Sequence, residues 1–242
     1  MSGHSKWANI KNRKGKSDAQ RGKIFTKLGR ELSIAVKAGG PNPEVNSRLN
    51  DVIAKAKAAN LPNENIMRSI KKAAGEGDGA NFEEITYEGY GPGGVAVIVE
   101  AATDNRNRTA GEVRHFFDKM GGNLGQSGSV SFMFNKKGVI LIEKTDKTNE
   151  DDIMMEALDA GAEDFNVEED YFEVVTDTND FSKVREALEK KGYEFIEADV
   201  SMIPTMMTKL TDPKQIEQMD RLIENLEDMD DVQNVYHNWE QE

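Results

Sequence analysis

The chain has 242 residues, no cysteine and a formal net charge of −13. The lack of cysteine excludes disulfides, zinc sites built on thiolates, iron–sulfur clusters and a cysteine nucleophile. The length exceeds the roughly 100–200 residues of a typical domain, so we expect more than one domain. We also expect a cytoplasmic protein, because no signal peptide is visible and the purest apolar run, Val95–Val99, is far too short to cross a bilayer.

Charge is divided unequally along the chain. Residues 1–80 hold 16 basic and 7 acidic side chains, a net of +9, whereas residues 81–242 hold 15 basic and 37 acidic side chains, a net of −22. The first 30 residues alone carry nine basic side chains and one acid, Asp18. This asymmetry favours a polyanionic partner for the N-terminal part. A solvated arm without a partner is the alternative interpretation.

The N-terminal part is predicted to form three helices. Apolar residues recur at helical spacing over 24–36, and Gly39-Gly40 provides a stop. A second helix is expected to begin near Asn42-Pro43 and to bury Val45, and a third is expected over 63–75. Three amphipathic helices joined by short turns predict a small bundle. The residues before about 18 lack an apolar stripe and are expected to form an extended arm.

The chain changes to a mixed β/α pattern after the glycine-rich segment 76–80. In the middle part we predict strands over 82–90, 94–102 and 130–134, and a helix over 105–120. The next part is predicted as a strand (138–143), a helix (150–160), a hairpin (162–167 and 171–176), a helix (181–190) and a strand (193–200). A final helix (213–226) and strand (232–236) follow.

This order predicts an α+β multidomain protein. The β-α-β-β-α-β series is typical of a ferredoxin-like domain. The middle part lacks a second helix and a last strand, and the C-terminal part consists of those two elements. We therefore predict an N-terminal three-helix bundle plus two ferredoxin-like α/β domains, one inserted in the other. The predicted domains are 1–80, 81–135 plus 203–242, and the inserted 136–202.

The basic N-terminal segment is the first candidate site. Its candidate nucleic-acid-binding residues are Lys6, Trp7, Asn9, Lys11, Arg13, Lys14, Lys16, Arg21 and Lys23. The cations would neutralise phosphates, Trp7 would stack on an exposed base, and Asn9 would reach base edges or sugars. Alternatively, Trp7 packs the arm against the bundle, and the two interpretations are compatible.

A second candidate site lies in the string 104–109, DNRNRT. Arg106 and Arg108 stand at a predicted helix start, where backbone N–H groups favour anions and two guanidinium groups would bind a phosphate. The alternative is a purely structural role. Thr103 and Asp104 are good caps, and Thr109 with Glu112 would form a capping box.

Signals of catalysis or of cofactor binding are weak. The stretch 91–94 is predicted to be a hairpin turn, and 121–128 follows a helix and precedes a strand, the reverse of a phosphate-binding loop, although exposed N–H groups remain possible there. His4, His115 and His237 are isolated from one another. We therefore predict no enzyme, no cofactor and no metal site. The remaining enzyme hypothesis is an unrecognised site beside His115 or the 121–128 loop.

Several strings together resemble the YebC family over essentially the whole chain. They are GHSKWANIKNRKGKSDAQRGKIFTKL, YEGYGPGG, DNRNRT, GGNLG with GSVSFMF, AGAED, SMIP and DDVQNVYHN. The resemblance implies a helical head and two α/β domains, the third inserted in the second, and no catalytic activity. Its members are commonly labelled probable transcriptional regulators, and a mitochondrial relative is a translational activator of cytochrome oxidase.

The function we predict is a nucleic-acid-binding regulator of gene expression, a transcriptional regulator that binds DNA. The alternative is a ribosome-associated translation factor that binds RNA and assists elongation through difficult sequences such as proline runs. None of the three predicted helices is a convincing recognition helix, which favours RNA over a duplex groove. We expect DNA or ribosomal RNA, and with it the ribosome, as partners, no membrane partner, and a monomer.

Overall fold

The computed structural model describes residues 18–75, 81–146 and 148–241, with side chains from Arg21 onward. Within these ranges the helices are α1 (Asp18–Gly39), α2 (Ser47–Ala58), α3 (Asn63–Ala73), α4 (Arg106–Lys119), α5 (Glu150–Ala160), α6 (Phe181–Lys190) and α7 (Pro213–Asp228). The strands are β1 (Glu83–Tyr90), β2 (Ala96–Thr103), β3 (Asn123–Leu124), β4 (Phe134–Glu143), β5 (Asp164–Val167), β6 (Tyr171–Thr176), β7 (Phe195–Pro204), β8 (Thr208–Lys209), β9 (Val232–His237) and β10 (Trp239–Glu240). The predicted α+β class is confirmed.

Helices α1, α2 and α3 pack around a shared apolar core that includes Leu32, Leu49 and Ile66. The predicted start of α2 near residues 42–43 is wrong. Asn46 is the N-cap, since its side-chain oxygen accepts a hydrogen bond of 3.1 Å from the Leu49 N–H. Residues 42–46 therefore form a turn, and Val45, which we expected to be buried, is 78% exposed.

The first sheet has the strand order β3-β1-β2-β9, and all its pairs are antiparallel. Helices α4 and α7 cover one face, where Phe117 and Leu222 pack on the inward side chains of β2. The other face packs on the segment that leads into β4, through Val130 and Phe134. Because β9 comes from the end of the chain, this sheet joins residues far apart in sequence.

The second sheet has the antiparallel order β5-β6-β4-β7, with the connections β4-α5-β5-β6-α6-β7. Ile153 of α5 and Val184 of α6 pack on one face of it. The separate strand predicted over 130–134 is wrong. Residues 131–133 form a 3-10 turn, and β4 then runs without a break from Phe134 to Glu143.

The chain passes between the two sheets twice, at neighbouring places. Phe134 at the start of β4 pairs with Pro204 at the end of β7, and the Thr205 N–H donates to the Met133 carbonyl oxygen at 2.8 Å. In the first sheet the elements follow the order β-β-α-β-α-β, so its connectivity differs from that of the second sheet.

The domain limits at 80, 135 and 202 stay predictions. Among the described residues, no helix is both long and apolar enough to cross a membrane.

Candidate nucleic-acid interface

The eleven predicted binding residues divide into two groups. Those that lie outside the described residues are Lys6, Trp7, Asn9, Lys11, Arg13, Lys14 and Lys16. The described ones are Arg21, Lys23, Arg106 and Arg108. The binding role of all eleven stays a prediction, and the surroundings of the last four are given below.

Lys23 lies on α1 and faces the C-terminal end of α7. Its Nζ is 2.9 Å from Asp228 Oδ1 and donates to the Asp228 carbonyl oxygen at 3.2 Å. One turn further along α1, Lys27 Nζ donates to the Glu227 carbonyl oxygen at 2.7 Å. Cations at the C-terminal end of a helix satisfy its free carbonyl groups and complement its dipole. These two lysines therefore dock α1 on α7, while Arg21 is exposed.

Asp231 is the centre of a buried polar cluster that joins three parts of the chain. Arg30 of α1 donates to its carboxylate and, at 2.8 Å, to the Ala102 carbonyl oxygen of β2. Arg108 Nη2 lies 2.8 Å and Thr109 Oγ1 2.6 Å from Asp231 Oδ2. Burial alone would raise the pKa of Asp231, but hydrogen bonds from Thr109, Arg108 and Arg30 lower it to about 2. The carboxylate is therefore ionised at neutral pH.

This cluster changes the interpretation of the string 104–109. The predicted caps Thr103 and Asp104 are wrong, since Asn105 caps α4 and accepts from the Arg108 N–H at 3.1 Å. The capping box is wrong too, because Thr109 is buried and directs its hydroxyl to Asp231. Asparagine and aspartate are comparable caps, so local sequence did not separate them.

The two arginines of this string differ in how much charge they leave to solvent. Arg108 bridges Asp231 and Asp104, the latter at 2.9 Å. Arg106 is the more exposed of the two, with 67% of its side chain accessible, and it forms a long ion pair of 3.6 Å with Glu83 Oε2. Of the pair, Arg106 is therefore better placed to meet an external anion.

The outer face of α3 carries cations that the sequence analysis did not single out. Arg68, Lys71 and Lys72 are exposed beside Met67, while Ile66 and Ile70 on the opposite face are buried. Within the described residues, none of these three cations makes an ion pair. A signal was present, because three basic residues fall on the polar face of an amphipathic helix. A polyanion can approach this face directly.

Two further interfaces of the bundle use paired charges. Lys55 of α2 lies 3.1 Å from Glu31 Oε2 and 2.5 Å from Asp199 Oδ2 of β7. Arg185 of α6, whose side chain is 2% exposed, lies 2.7 Å from Asp51 of α2. The bundle is thus attached to both sheet units by ion pairs. Helix α1 pairs with the first unit, and α2 pairs with the second and, through Arg48 and Glu84 of β1, also with the first.

The glycine-rich loop 121–128 is occupied by a carboxylate of the protein itself. Glu88 accepts from the N–H groups of Gly128 at 2.8 Å, Val130 at 2.9 Å and Ser131 at 2.8 Å. Burial tends to raise the pKa of Glu88, and these hydrogen bonds bring it below its usual value. Of these three donors, Gly128 belongs to 121–128, where exposed N–H groups remained possible, and its N–H is directed at an internal carboxylate.

The two histidines within the described ranges, His115 and His237, do not form a reactive cluster. His237 is buried, and burial lowers its pKa to about 4, so its ring is neutral at pH 7. His115 lines an open groove of about 390 Å³ between α4 and α7. The other residues of that groove are Gly111, Glu112, Phe116, Asn225, Asp228 and Met229. In the described ranges, His, Asp and Glu side chains form no group of three that could hold a metal ion.

The fold and the charge distribution define a class of protein, a basic helical bundle attached to an acidic α+β body. Residues 5–76 match the model of the TACO1/YebC protein N-terminal domain, and residues 82–239 match that of the TACO1/YebC second and third domain. The chain belongs to the TACO1/YebC family.

Close relatives carry a regulatory name. A protein of Acetivibrio thermocellus is 74% identical over 239 residues, covering 99% of each chain, and one of Ruminiclostridium cellulolyticum is 73% identical over 242 residues, covering 100% of this chain and 98% of the relative. Both are named probable transcriptional regulatory protein. A crystal structure of a conserved hypothetical protein from Aquifex aeolicus is 47% identical with a TM-score of 0.83 and covers 93% of both chains. These names support a regulatory rather than an enzymatic role.

Proposed function

We propose that this protein is a regulator of gene expression that binds nucleic acid, with DNA as the primary target. The binding surface consists of the basic segment 1–23 and the outer face of α3, with Arg106 as an additional contact. The observation that carries the proposal is the contrast within the bundle. Arg68, Lys71 and Lys72 make no ion pair with any described residue, whereas Arg30 and Lys55 are bound to acids of the body.

The chemistry of the α3 face favours contacts with phosphates. Lysine and arginine side chains neutralise phosphates and release counterions, which gives affinity without reading the sequence. Reading of bases in the major groove commonly relies on paired hydrogen bonds from asparagine, glutamine or arginine. The centre of the outer face offers Met67, Arg68 and Lys71, so α3 would position the protein on a nucleic-acid backbone.

The salt dependence of binding tests this role of α3. We compare R68A/K71A/K72A with K119A/K136A/K214A, which removes the same charge from exposed lysines of the body. Affinity for a 30-base-pair duplex is measured by fluorescence anisotropy between 50 and 300 mM salt. Because each lost phosphate contact lowers the slope of log K against log salt by about 0.7–0.9, the first variant loses about 2–2.7 and the control keeps the wild-type slope. Equal slopes for the two variants would contradict the proposal.

The N-terminal segment has its own test. The variant K11A/R13A/K14A/K16A should weaken binding and flatten the salt dependence by up to about 0.7–0.9 per lost contact. An unchanged affinity and slope would show that the arm is not part of the binding surface. The role of α3 would then depend on the result for R68A/K71A/K72A alone.

A translation factor that binds RNA on the ribosome is the second candidate. It is favoured by the same property of α3, because a surface that contacts phosphates fits structured RNA as well as duplex DNA. Purified ribosomes and the labelled duplex are offered at equal salt, and the protein is followed by sedimentation and by anisotropy. Sedimentation with ribosomes that is lost in R68A/K71A/K72A, together with weak duplex binding, would replace DNA by RNA as the target.

A further inference from the structure

Helix α5 carries an apolar stripe that its own domain does not cover. Ile153 and Ala157 are fully buried against the second sheet. Met154, Met155 and Leu158 on the neighbouring flank are exposed, and Met155 reaches 57%. A helix that buries one apolar face normally presents polar residues elsewhere. Three large apolar side chains on the outer flank therefore form an unusual surface.

The stripe continues onto the edge of the second sheet. Strand β5 is the terminal strand in the order β5-β6-β4-β7. Successive side chains of a strand alternate between its faces, so Val167 lies on the same face as Phe165, which packs beneath the helices. Val167 is exposed, and β5 is in contact with α5. The exposed helix flank and the open strand edge thus belong to two elements that are in contact.

Acidic residues are concentrated in the chain segment that carries this surface, and two of them pair with lysines of other elements, Glu156 with Lys191 and Glu163 with Lys137. The segment 148–170, which contains α5 and β5, has ten acids and no basic residue. The acids are Glu150, Asp151, Asp152, Glu156, Asp159, Glu163, Asp164, Glu168, Glu169 and Asp170. Asp151 is exposed one turn before Met154 and Met155, and Asp164 is exposed at the start of β5. A phosphate backbone would be repelled here, and a cationic partner would be attracted.

We propose that the surface formed by Met154, Met155, Leu158 and Val167 docks a basic amphipathic helix of a partner protein. Methionine side chains adapt to differently shaped apolar partners. An amphipathic helix places its apolar side chains at the spacing that a helical stripe can receive. The acids around the stripe would meet lysine and arginine on the polar face of the partner, which sets orientation and speeds encounter. A symmetric contact with the same surface of a second copy does not fit, since each copy would bring the same acids to the contact.

The charge of the partner is tested with two synthetic peptides. One 14-residue fluorescein-labelled peptide has leucine at helical spacing and lysine elsewhere, and the other has glutamate in place of lysine. Anisotropy is measured with the full chain at 50 and 300 mM salt. We expect the Leu/Lys peptide to bind and to weaken at higher salt, and the Leu/Glu peptide not to bind. Equal binding of both peptides would overturn the proposal.

Matched substitutions locate the contact. M155K/L158K is compared with V45K/M67K, which adds the same charge at two exposed apolar positions of the bundle. We expect M155K/L158K to weaken binding of the Leu/Lys peptide at least tenfold and V45K/M67K to leave it unchanged. Urea unfolding midpoints establish that both variants fold. The variant D151N/D164N provides a second test, because it retains the apolar stripe and should flatten the salt dependence of binding of the Leu/Lys peptide.

Two outcomes would contradict the binding of a basic partner helix at this surface. If the wild-type chain sediments as a dimer and M155K/L158K as a monomer, the surface joins two copies of the chain. If M155K/L158K and V45K/M67K bind the Leu/Lys peptide equally, the peptide docks elsewhere. Either result overturns the proposal and leaves the proposed binding of nucleic acid by the bundle untouched, because M155K/L158K and R68A/K71A/K72A change different helices.

Discussion

The cations of α1 and those of α3 belong to the same small bundle and have opposite surroundings. Arg30 on α1 is tied to the buried carboxylate of Asp231, and Lys27 caps the end of α7. Arg68 and Lys71 on α3 face outward and make no ion pair within the described residues. Part of the positive charge of the bundle thus holds the molecule together, and part remains available to a partner.

This difference corrects a simple interpretation of the charge distribution. An N-terminal part (residues 1–80) of net +9 beside a remainder (residues 81–242) of net −22 favours a polyanionic partner. The body is itself a polyanion, however, and its acids at Asp228, Asp231 and Asp199 are partners of the bundle's cations. Net charge predicts attraction to negative charge in general, and the position of each side chain decides which negative charge it meets.

The strongest test of the inward-facing cations is D231A. This substitution leaves Arg30 without a carboxylate and Arg108 with Asp104 alone. Because removing one partner of a buried ion pair leaves an uncompensated charge, we expect the free energy of unfolding to fall by about 3–5 kcal/mol. Urea unfolding at pH 7 measures it, and a loss below about 1 kcal/mol would show that the cluster is not structural.

The cluster around Asp231 also predicts a smaller loss of unfolding free energy at acidic pH. The pKa of Asp231 is about 2 in the folded protein, against 3.8 for a free aspartate. A carboxyl group with a lowered pKa contributes stability that is present above pH 3.8 and is lost as pH falls towards 2. From the size of this shift we expect a contribution of about 2 kcal/mol. The gap in unfolding free energy between wild type and D231N should narrow from pH 5 to pH 2.5, and a constant gap would contradict an ionised Asp231.

A still smaller effect is expected from D228N at the exposed contact with Lys23. Both side chains of this pair are accessible to solvent, 41% for Lys23 and 66% for Asp228, so the free energy of unfolding should fall by less than about 1 kcal/mol. The loss should disappear in 1 M salt. Releasing Lys23 should also strengthen duplex binding at low salt. Unchanged affinity would argue that Lys23 is not part of the binding surface.

The outward-facing cations should matter least for stability. R68A/K71A/K72A removes no ion pair to a described residue, so we expect the free energy of unfolding to stay within about 0.5 kcal/mol of wild type. Thermal and urea unfolding measure it. Unchanged stability together with weakened binding of nucleic acid would show that the α3 cations serve binding and not folding. A large loss of unfolding free energy would mean that these cations have partners within the protein.

The local pattern of apolar and polar residues predicted much of the fold and few of the contacts at the candidate site. The predicted ranges of α5, β6 and α6 agree with the structure, because each has an apolar period of its own and a clear stop or cap. The start of α2 and the cap of α4 were missed, since Asn46 and Asn105 compete with neighbours of similar capping strength. The contacts of Asp231 depend on pairing across 123 and 201 residues, which no local period contains.

The position of β9 and Asp231 near the end of the chain has a consequence for synthesis. Arg30 and its carboxylate partner are 201 residues apart. Ribosomes add roughly 5–20 residues per second, so Asp231 is made about 10–40 s after Arg30. During that interval the nascent bundle carries its full positive charge beside the polyanionic ribosome that is making it. Synthesis of the segment that carries Asp231 and β9 therefore supplies the carboxylate that Arg30 contacts in the folded protein.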